Sequence, residues 1–590
     1  METNTVSKKK GLLANALTGS RWDTRIRSAN TTRKEMWLGY VLGVWGMMMT
    51  SSIVNSYFNQ YLTDVLGFTS DKIAWMGLFM VTFPLASKMI DAVTNLIMSK
   101  VIDSTVCKQG KVRPWLIISA PLIVICIILL FWMPFQRPLY QALWIVIMFN
   151  LYYSVAYTMW NVSKELMPAV STRNVRQRKN LSLAATIVGQ AGTGLVSILF
   201  PTILASVCAA FNGDNAKGYL VSMTIFGILG LCCTFVQYFY TRERVTEERR
   251  GQTGIVGGSE KEEIHEEASL LKQAKACLAD KYWIFFILVI FITNILSNMR
   301  NISLIYYSGW VLQGNAYGQA ASLQAAFQMI ALSPMGPGIL LLLPLVKKWG
   351  RTRCIWVGGT LTAVGSVVAF LNPGSRMMIY IGTALGGIGS LFFNYTMPSF
   401  LGDVIDHVEW KSKVRCDGLS GGIYSAGMMF AVGIAQGLFN LGLMATGYLQ
   451  PVQIGTDASG IALYADQPAA ASGWINFAYQ GTYIMIGIVI FAVFCFLFDL
   501  ERHLPEVSRE LQERKVAECA AKGIEYIPAE ELERREIEEQ EKIAEEIRIR
   551  ELKETCAKKG LDFETENKKV LEKRAAKKAK AEAKAAKRKM

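Results

Sequence analysis

Long apolar segments recur along the chain, and they constrain its fold more than any other feature. Each is roughly 20 residues or longer, the length that a helix needs to cross about 30 Å of hydrocarbon. The chain has 590 residues, of which 52% are hydrophobic, so little room remains between the segments for a soluble enzyme domain. We therefore predict an all-α polytopic membrane protein with twelve transmembrane helices and no enzymatic activity. The segments start near Trp37, Ile73, Pro114, Leu143, Leu181, Leu220, Trp283, Leu323, Ile355, Met378, Leu419 and Phe477.

Basic residues are distributed unevenly among the loops. The positive-inside rule places the basic loops, and with them both termini, in the cytoplasm. No apolar signal segment precedes the first span, so we expect a multi-pass protein of the plasma or inner membrane, in contact with the lipid bilayer. Much of the net charge of +15 lies in these loops and in the C-terminal tail, so nucleic acid is not an expected partner. The basic loops follow spans 2, 4, 8 and 10 and contain Lys100, Lys108, Lys111, Arg113, Arg173, Arg176, Arg178, Lys179, Lys347, Lys348, Arg351, Arg353, Lys411, Lys413 and Arg415.

Changes in composition divide the chain into five parts. The second and fourth parts contain six spans each, and the turns at Gly110–Arg113 and Gly350–Arg353 repeat a glycine followed by two cations at equivalent places. Two pseudo-symmetric six-helix halves that rock around a midplane site are a known route to alternating access. The predicted parts are a cytoplasmic segment (1–36), an N-terminal half (37–240), a central loop (241–281), a C-terminal half (282–500) and a charged tail (501–590). The tail favours helix and is either a solvated helix with a disordered end or a basic segment that lies on anionic lipid.

The second span, "PLASKMIDAVTNLIMSKVID", contains charged residues in a segment that should face oil. Lys88 and Asp91 are three residues apart, so they share a helix face and can pair. One interpretation is a structural ion pair. The other is that Asp91 binds a proton or a small cation, with oxygens from Thr94 and Asn95 on nearly the same face, since hard cations take oxygen ligands.

Two further spans contain polar stripes. In span 4, Thr158, Asn161 and Lys164 or Glu165 lie at spacings of three and four, although Lys164 and Glu165 could instead belong to a cytoplasmic helix end. In span 7, Asn294, Asn298 and Asn301 recur on one face, with Arg300 beside them. This amide stripe is too costly to face lipid. It either joins helices or lines a polar cavity suited to hydroxyls and carboxylates.

Four separated motifs resemble one known family. They are "QYLTDVLGF" (60–68), "IDAVTNLIMSKVIDSTVCKQGKVRPWLI" (90–117), "TNILSNMRNISLIYYS" (293–308) and "GDVIDHVEWKSKVRCDG" (402–418). In order and position they are similar to the signatures of the glycoside–pentoside–hexuronide:cation symporters, the melibiose-permease group of the major facilitator superfamily. The resemblance covers about 450 residues and excludes the tail.

The resemblance implies a major facilitator fold and assigns roles to matching positions. Asp91 falls on the cation-site carboxylate, Lys88 on its basic neighbour and Thr158 on a cation-ligand hydroxyl. A charged set on the cytoplasmic side is implied to lock an inner gate between the halves. With Arg113, this inner-gate set contains Asp403, Asp406, Glu409, Lys411, Arg415 and Asp417.

The chain also departs from the family pattern. The second cation-site carboxylate is replaced by Asn95, and a span 11 lysine by Met429. The sugar-binding aspartates align with Met48 in span 1 and with Asn161 or Trp160 in span 4. Sodium coupling is therefore in doubt, and uniport remains open. Because Lys88, Lys164 and Arg300 outnumber Asp91 and Glu165, an anionic glycoside or hexuronide is expected over a neutral sugar.

These observations predict a monomeric secondary transporter that moves a sugar-like small molecule together with H⁺ or Na⁺. The expected cation-binding residues are Asp91, Thr94, Asn95 and Thr158, and the expected substrate-binding residues are Lys88, Asn161, Lys164, Asn294, Asn298, Arg300 and Asn301. No cofactor is expected, and no metal beyond Na⁺ at Asp91, since the eleven cysteines show no metal spacing. Two alternatives are a lysolipid carrier of the same family and a membrane sensor that signals through its tail.

Overall fold

The computed structural model describes residues 22–28, 30–69, 73–105, 107–172, 174–246, 270–313, 320–371, 375–456, 462–521 and 529–572. The parts of the chain that lie outside these residues include the first 21 residues of the predicted N-terminal segment, most of the central loop and the basic end of the tail. Within them the protein is almost entirely helical, with one small antiparallel hairpin of β1 (Gln453–Thr456) and β2 (Ala462–Tyr464). The predicted all-α class is confirmed.

Twelve helices run back and forth through the described part of the chain. The N-terminal half consists of α1 (Glu35–Val65), α2 (Ala74–Asp103), α3 (Arg113–Phe131), α4 (Pro138–Ser171), α5 (Val175–Ala210) and α6 (Asn215–Phe239). The C-terminal half consists of α7 (Lys281–Val311), α8 in two pieces (Ala320–Leu332 and Met335–Trp349), α9 (Arg351–Leu371), α10 (Arg376–Ser412), α11 (Asp417–Ala445) and α12 (Ala469–Leu497). Of the helices described, ten are long and apolar enough to cross a membrane.

The two remaining helices are α5 and α8, and neither is described as one long, continuous apolar helix. Within α5, the stretch Gly194–Ala210 is apolar, and the basic residues of the helix lie in its first turns. α8 is interrupted at Ser333 and Pro334, where proline ends the first piece and starts the second. Together with the other ten, they are consistent with the predicted twelve transmembrane helices.

Local sequence explains where several helices begin. Pro114 and Pro138 occupy the first turns of α3 and α4, where a missing N–H costs nothing. Side-chain caps precede three others: Asn174, Asp214 and Asp280 accept hydrogen bonds from the first free N–H groups of α5, α6 and α7. The helix ends therefore follow from the polar residues between the apolar blocks.

The odd-numbered helices begin, and the even-numbered helices end, on the face that also contains the start of α1 and the end of α12. We call this the terminus face and the opposite side the far face. Large apolar side chains such as Ile147, Leu229 and Ile488 are exposed on the sides of the bundle, as expected for helices surrounded by lipid. The larger buried cluster includes residues of both halves, for example Tyr61, Tyr306 and Phe439, whereas the second cluster belongs to the C-terminal half.

The start of the predicted tail differs from the expected solvated helix. Helix α13 (Leu500–Ala521) packs on the terminus face of the C-terminal half, with Val507 and Leu511 buried. The Trp410 indole in α10 donates to Glu510 at 2.7 Å, and Arg514 donates to the carbonyl of Trp410 at 2.8 Å. Burial of Val507 and Leu511, together with these hydrogen bonds, explains why α13 packs on the bundle. The following helix α14 (Ala529–Lys559) is strongly charged.

Candidate functional site

A lysine and an aspartate form an ion pair within α2. Lys88 Nζ lies 2.8 Å from Asp91 Oδ2, and the two side chains are only 12% and 8% exposed. The pair lies near the middle of a 30-residue helix, so it lies deep between the two faces. Burial of two charges is costly, and this geometry offsets the cost by neutralising them.

Helix α4 contributes two residues to this pair that the sequence analysis did not assign. The Ser154 hydroxyl donates to Asp91 Oδ1, and Lys88 Nζ lies 4.2 Å from the centre of the Tyr153 ring. Both residues belong to a π-helical turn, Leu151–Tyr157. Such turns are frequent at functional sites because they widen the helix locally. Ser154 lies one turn before Thr158 on the predicted polar stripe, and that spacing could have identified it.

The other predicted cation ligands are close by in sequence but bond along their own helices. Thr94 Oγ1 donates to the carbonyls of Ile90 and Asp91, both at 3.1 Å. Asn95 Nδ2 donates to the carbonyl of Asp91 at 2.8 Å, and Thr158 Oγ1 donates to the carbonyl of Tyr153 at 2.9 Å. Their role as ligands therefore remains a prediction.

Arg300 is buried in α7 between two aromatic rings of α12. Its guanidinium carbon lies 3.9 Å from the ring centre of Tyr479 and 3.7 Å from that of Tyr483, and Nη1 donates to the carbonyl of Tyr479. Both rings attract the cation, and together with the hydrogen bond to Tyr479 they hold the guanidinium in place.

A cavity of about 420 Å³ lies beside Arg300. The predicted amide stripe lines it, since Asn294, Asn298 and Asn301 all face it together with Arg300. The described residues that line it all belong to the C-terminal half, and Arg300 is the one charged residue among them. The structure thus places four of the predicted substrate-binding residues around one polar space.

Three other predicted substrate residues belong to α2 and α4. Lys88 is paired with Asp91, as described. Lys164 pairs with Glu165 at 2.7 Å and lies 5.6 Å from the Trp160 ring centre. Neither Asn161 nor Lys164 is among the described residues that line the cavity in the C-terminal half.

Several members of the inner-gate set pair within the C-terminal half on the terminus face. Asp403 pairs with Arg351 at 2.6 Å, and Arg415 pairs with Asp406 and Glu409. Lys411 donates to the carbonyl of Ala279 at 2.9 Å. These particular bonds do not join the halves, so the predicted locking role is not tested by them.

The remaining members of the inner-gate set are Arg113 and Asp417. Arg113 belongs to the N-terminal half, where it donates to the carbonyls of Tyr238 and Gln109. Asp417 starts α11, but its side chain lies outside the described part of the structure.

On the far face, hydrogen bonds do join the two halves, and the sequence analysis did not predict them. Tyr306 of α7 contacts Asn59 at 3.0 Å and Thr63 at 2.8 Å in α1. Tyr448, just after α11, donates to Asp64 Oδ1 at 2.9 Å. We call Asn59, Thr63, Asp64, Tyr306 and Tyr448 the far-face latch. The far face of the molecule is therefore held closed.

Comparison with known proteins identifies the class of this transporter. The family described as MFS/sugar transport protein matches residues 39–502, which is most of the chain. The protein belongs to this family. It is therefore a multi-pass membrane transporter and not an enzyme, and the resemblance found in its motifs is confirmed.

Individual relatives are distant but extend over most of the chain. An "Uncharacterized symporter YjmB" of Bacillus subtilis (strain 168) is 25% identical over 70% of this chain and 83% of its own length. An isoprimeverose transporter of Lactiplantibacillus pentosus is 24% identical over 82% of this chain and 92% of its own. The crystal structure of nucleoside transporter NupG aligns with a TM-score of 0.50 at 12% identity, covering 79% of this chain and 100% of that one, which supports the fold alone.

Proposed function

We propose that the protein is a cation-coupled symporter that carries an anionic sugar or glycoside, such as a hexuronide, by alternating access. The observation that carries this proposal is the position of Arg300 at the polar cavity of the C-terminal half. Arg300 is the one charged residue among the described residues of the 420 Å³ cavity, its guanidinium lies against two tyrosine rings, and three asparagines line the same cavity. Among the described residues, no carboxylate pairs with Arg300. A buried cation without such a partner is costly, and an anionic solute would neutralise it.

The coupling cation, H⁺ or Na⁺, would bind at Asp91. Thr94, Asn95 and Thr158 are the further ligands that the sequence suggests. Movement of one charge across the membrane releases about 2.3 kcal/mol per 100 mV, which can drive accumulation without a cofactor. Asp91 and Arg300 lie in different halves, so binding at both would favour rocking of one half against the other.

The protein would act as a monomer in the cell membrane with both termini in the cytoplasm. The basic loops of the terminus face support this orientation. On this assignment the far-face latch closes the outer side. One chain supplies all the residues named above, which is consistent with a monomer.

A neutral glycoside is the second candidate substrate. The relative named as an isoprimeverose transporter favours it, and the amides of Asn294, Asn298 and Asn301 could bind sugar hydroxyls equally well. The polar lining is less suited to a lysolipid chain. The two candidate substrates therefore differ in charge, and an experiment that varies the charge of the solute distinguishes them.

The test compares uptake of a glucuronide and of isoprimeverose into proteoliposomes that contain the full chain. Arg300→Gln should weaken uronide binding roughly tenfold to a hundredfold, since a charge-assisted hydrogen bond contributes about 1.5–3 kcal/mol. Lys281→Gln, at the exposed start of α7, is the matched control and should leave uptake unchanged. Equal uronide affinity in Arg300→Gln and wild type would reject the anionic substrate.

Coupling is tested by a second variant in the same assay. Asp91→Asn should abolish uphill accumulation but retain exchange of labelled solute across the membrane. Full accumulation by Asp91→Asn would show that the carboxylate does not couple transport. Removal of the tail after residue 528 separates a carrier from a sensor, because a carrier should continue to transport.

A further inference from the structure

We propose that Lys88 is a built-in cation that occupies the place of a metal ion at Asp91 and makes the site insensitive to Na⁺. This inference deepens the proposed function, because it assigns the residue that determines ion specificity at the same carboxylate.

Both oxygens of the carboxylate are already engaged by protein groups. Oδ2 accepts from Lys88 Nζ at 2.8 Å, and Oδ1 accepts from the Ser154 hydroxyl. The ammonium carries the same unit charge as Na⁺ and lies at hydrogen-bonding distance from the anion. A Na⁺ ion that approached Oδ2 would meet a like charge held in place by the same helix.

Asp91 is the one anionic ligand described at this position. A hard cation needs several oxygen ligands directed at one point, and its affinity depends on how many of them are charged. The hydroxyls of Thr94 and Thr158 and the amide of Asn95 donate to carbonyls of their own helices, and the oxygens that they could still offer to a cation are neutral. Among the described residues, no group of three or more His, Cys, Asp or Glu side chains could hold a metal.

The ammonium is held by more than its ion pair. Its nitrogen lies over the Tyr153 ring, which attracts a cation but offers no oxygen ligand from its face. The Lys88 stem is packed against α11 at Gly433, where an added Cβ would lie only 2.9 Å from Lys88 Cγ. Lys88 is therefore packed between α2, α4 and α11, whereas an unpaired surface lysine would be mobile in solvent.

No other charged residue has a described contact with this pair. Tyr153 is the titratable neighbour on α4, and its hydroxyl donates to Asn55 of α1 at 2.8 Å. From α11, Gly433 packs against Lys88, and Met429 contacts Asn95 one turn beyond Asp91; both α11 residues are uncharged. The pair Lys88–Asp91 thus balances its own charge, and a metal cation would leave an excess of +1.

The experiment measures Na⁺ binding by the purified full-length protein, with Na⁺ alone as the probe. Equilibrium binding of radioactive Na⁺ and thermal unfolding are recorded in NaCl and in choline chloride at equal ionic strength. Wild type should show no saturable binding and equal unfolding temperatures in the two salts. Lys88→Ala and Lys88→Met should bind Na⁺ saturably, with an affinity at least about tenfold above any residual binding by wild type.

The double variant Lys88→Ala/Asp91→Asn serves as the matched control and should lose the binding that Lys88→Ala gains. Saturable Na⁺ binding by wild type that disappears in Asp91→Asn would overturn the proposal. The proposal is equally overturned if folded Lys88→Ala and Lys88→Met bind no more Na⁺ than wild type. Since these measurements need no sugar, their outcome is independent of the uptake experiments that test the proposed function.

Discussion

Two glutamates act as equivalent caps in the two halves. Glu243, after α6, accepts the backbone N–H groups of Lys111, Val112 and Arg113 at 2.7–2.9 Å at the start of α3. Glu501, after α12, accepts those of Arg351 and Thr352 at 2.8 Å at the start of α9. The preceding glycines, Gly110 and Gly350, both have positive φ. A carboxylate at a helix N-terminus is stabilised by the free N–H groups and by the helix dipole.

Glu501→Gln should therefore destabilise the C-terminal half in a pH-dependent way. Burial alone would raise the pKa of Glu501, but the N–H groups of Thr352 and Arg351 lower it below its usual value of 4.5. A lowered folded-state pKa stabilises the protein above pH 4.5, and this contribution is lost as the pH falls through the folded-state pKa. At pH 7 we expect a loss of about 1 kcal/mol, and the difference from wild type should shrink below pH 4.5.

Thermal unfolding of the purified variants at pH 7 and at pH 3 measures this effect. Glu506→Gln, on the exposed side of α13, is the control and should match wild type at both values. A loss of the same size at pH 7 and well below pH 4.5 would show that the carboxylate charge does not contribute to the cap.

At the scale of helices, the crossing of α2 and α11 depends on two glycines. An added Cβ at Gly437 would lie 2.9 Å from the carbonyl oxygen of Val81, and one at Gly433 would lie 3.1 Å from that of Pro84. Asn440 further along α11 donates to the carbonyl of Met80 at 2.8 Å. Small residues let the two backbones approach closely, and this close contact is one junction between the halves.

Gly437→Ala should weaken this junction, because a backbone carbonyl cannot move aside as a flexible side chain can. We expect a loss of about 1–3 kcal/mol in the free energy of unfolding, measured by denaturant unfolding in detergent. Gly427→Ala on the same helix is the control, since its Cβ would meet only Phe291 Cδ2 at an ordinary 3.7 Å. An equal effect of both substitutions would mean that helix propensity, and not close contact, determines the result.

The helices themselves could be predicted from the sequence, because apolar block length and flanking polar residues act locally. Contacts within one helix could also be predicted from the sequence: Lys88 and Asp91 pair at a spacing of three, and the asparagines of α7 share one face. Contacts between helices could not be predicted in this way. The bonds from Ser154 to Asp91 and from Arg300 to α12 join distant parts of the chain, and helical periodicity indicates a face without naming its partner.

Across the whole molecule, the described contacts between halves are concentrated toward the far face. The far-face latch joins α1 to α7 and to the end of α11, and Gln450 adds a bond of 3.0 Å to the carbonyl of Asp64. On the terminus face, the pairs of Arg351 and Arg415 remain within the C-terminal half. In an alternating-access cycle the opposite state would break the latch, so the strength of the latch contributes to the balance between the two states.

Tyr448→Phe should shift this balance toward opening of the far face. The Tyr448 hydroxyl donates to Asp64 and accepts from the Trp310 indole at 2.9 Å, so its removal leaves two polar groups without that partner. The cost of about 1–3 kcal/mol falls only on the closed state, which corresponds to a rise in the ratio of open to closed molecules of roughly fivefold to 150-fold. Hydrogen exchange of backbone amides in 59–66 and 443–450 should accelerate accordingly. Tyr140→Phe, exposed near the far-face start of α4, should leave exchange in both segments unchanged. Unchanged exchange in Tyr448→Phe would mean that apolar packing around Tyr306 and Phe439 closes the far face without the latch.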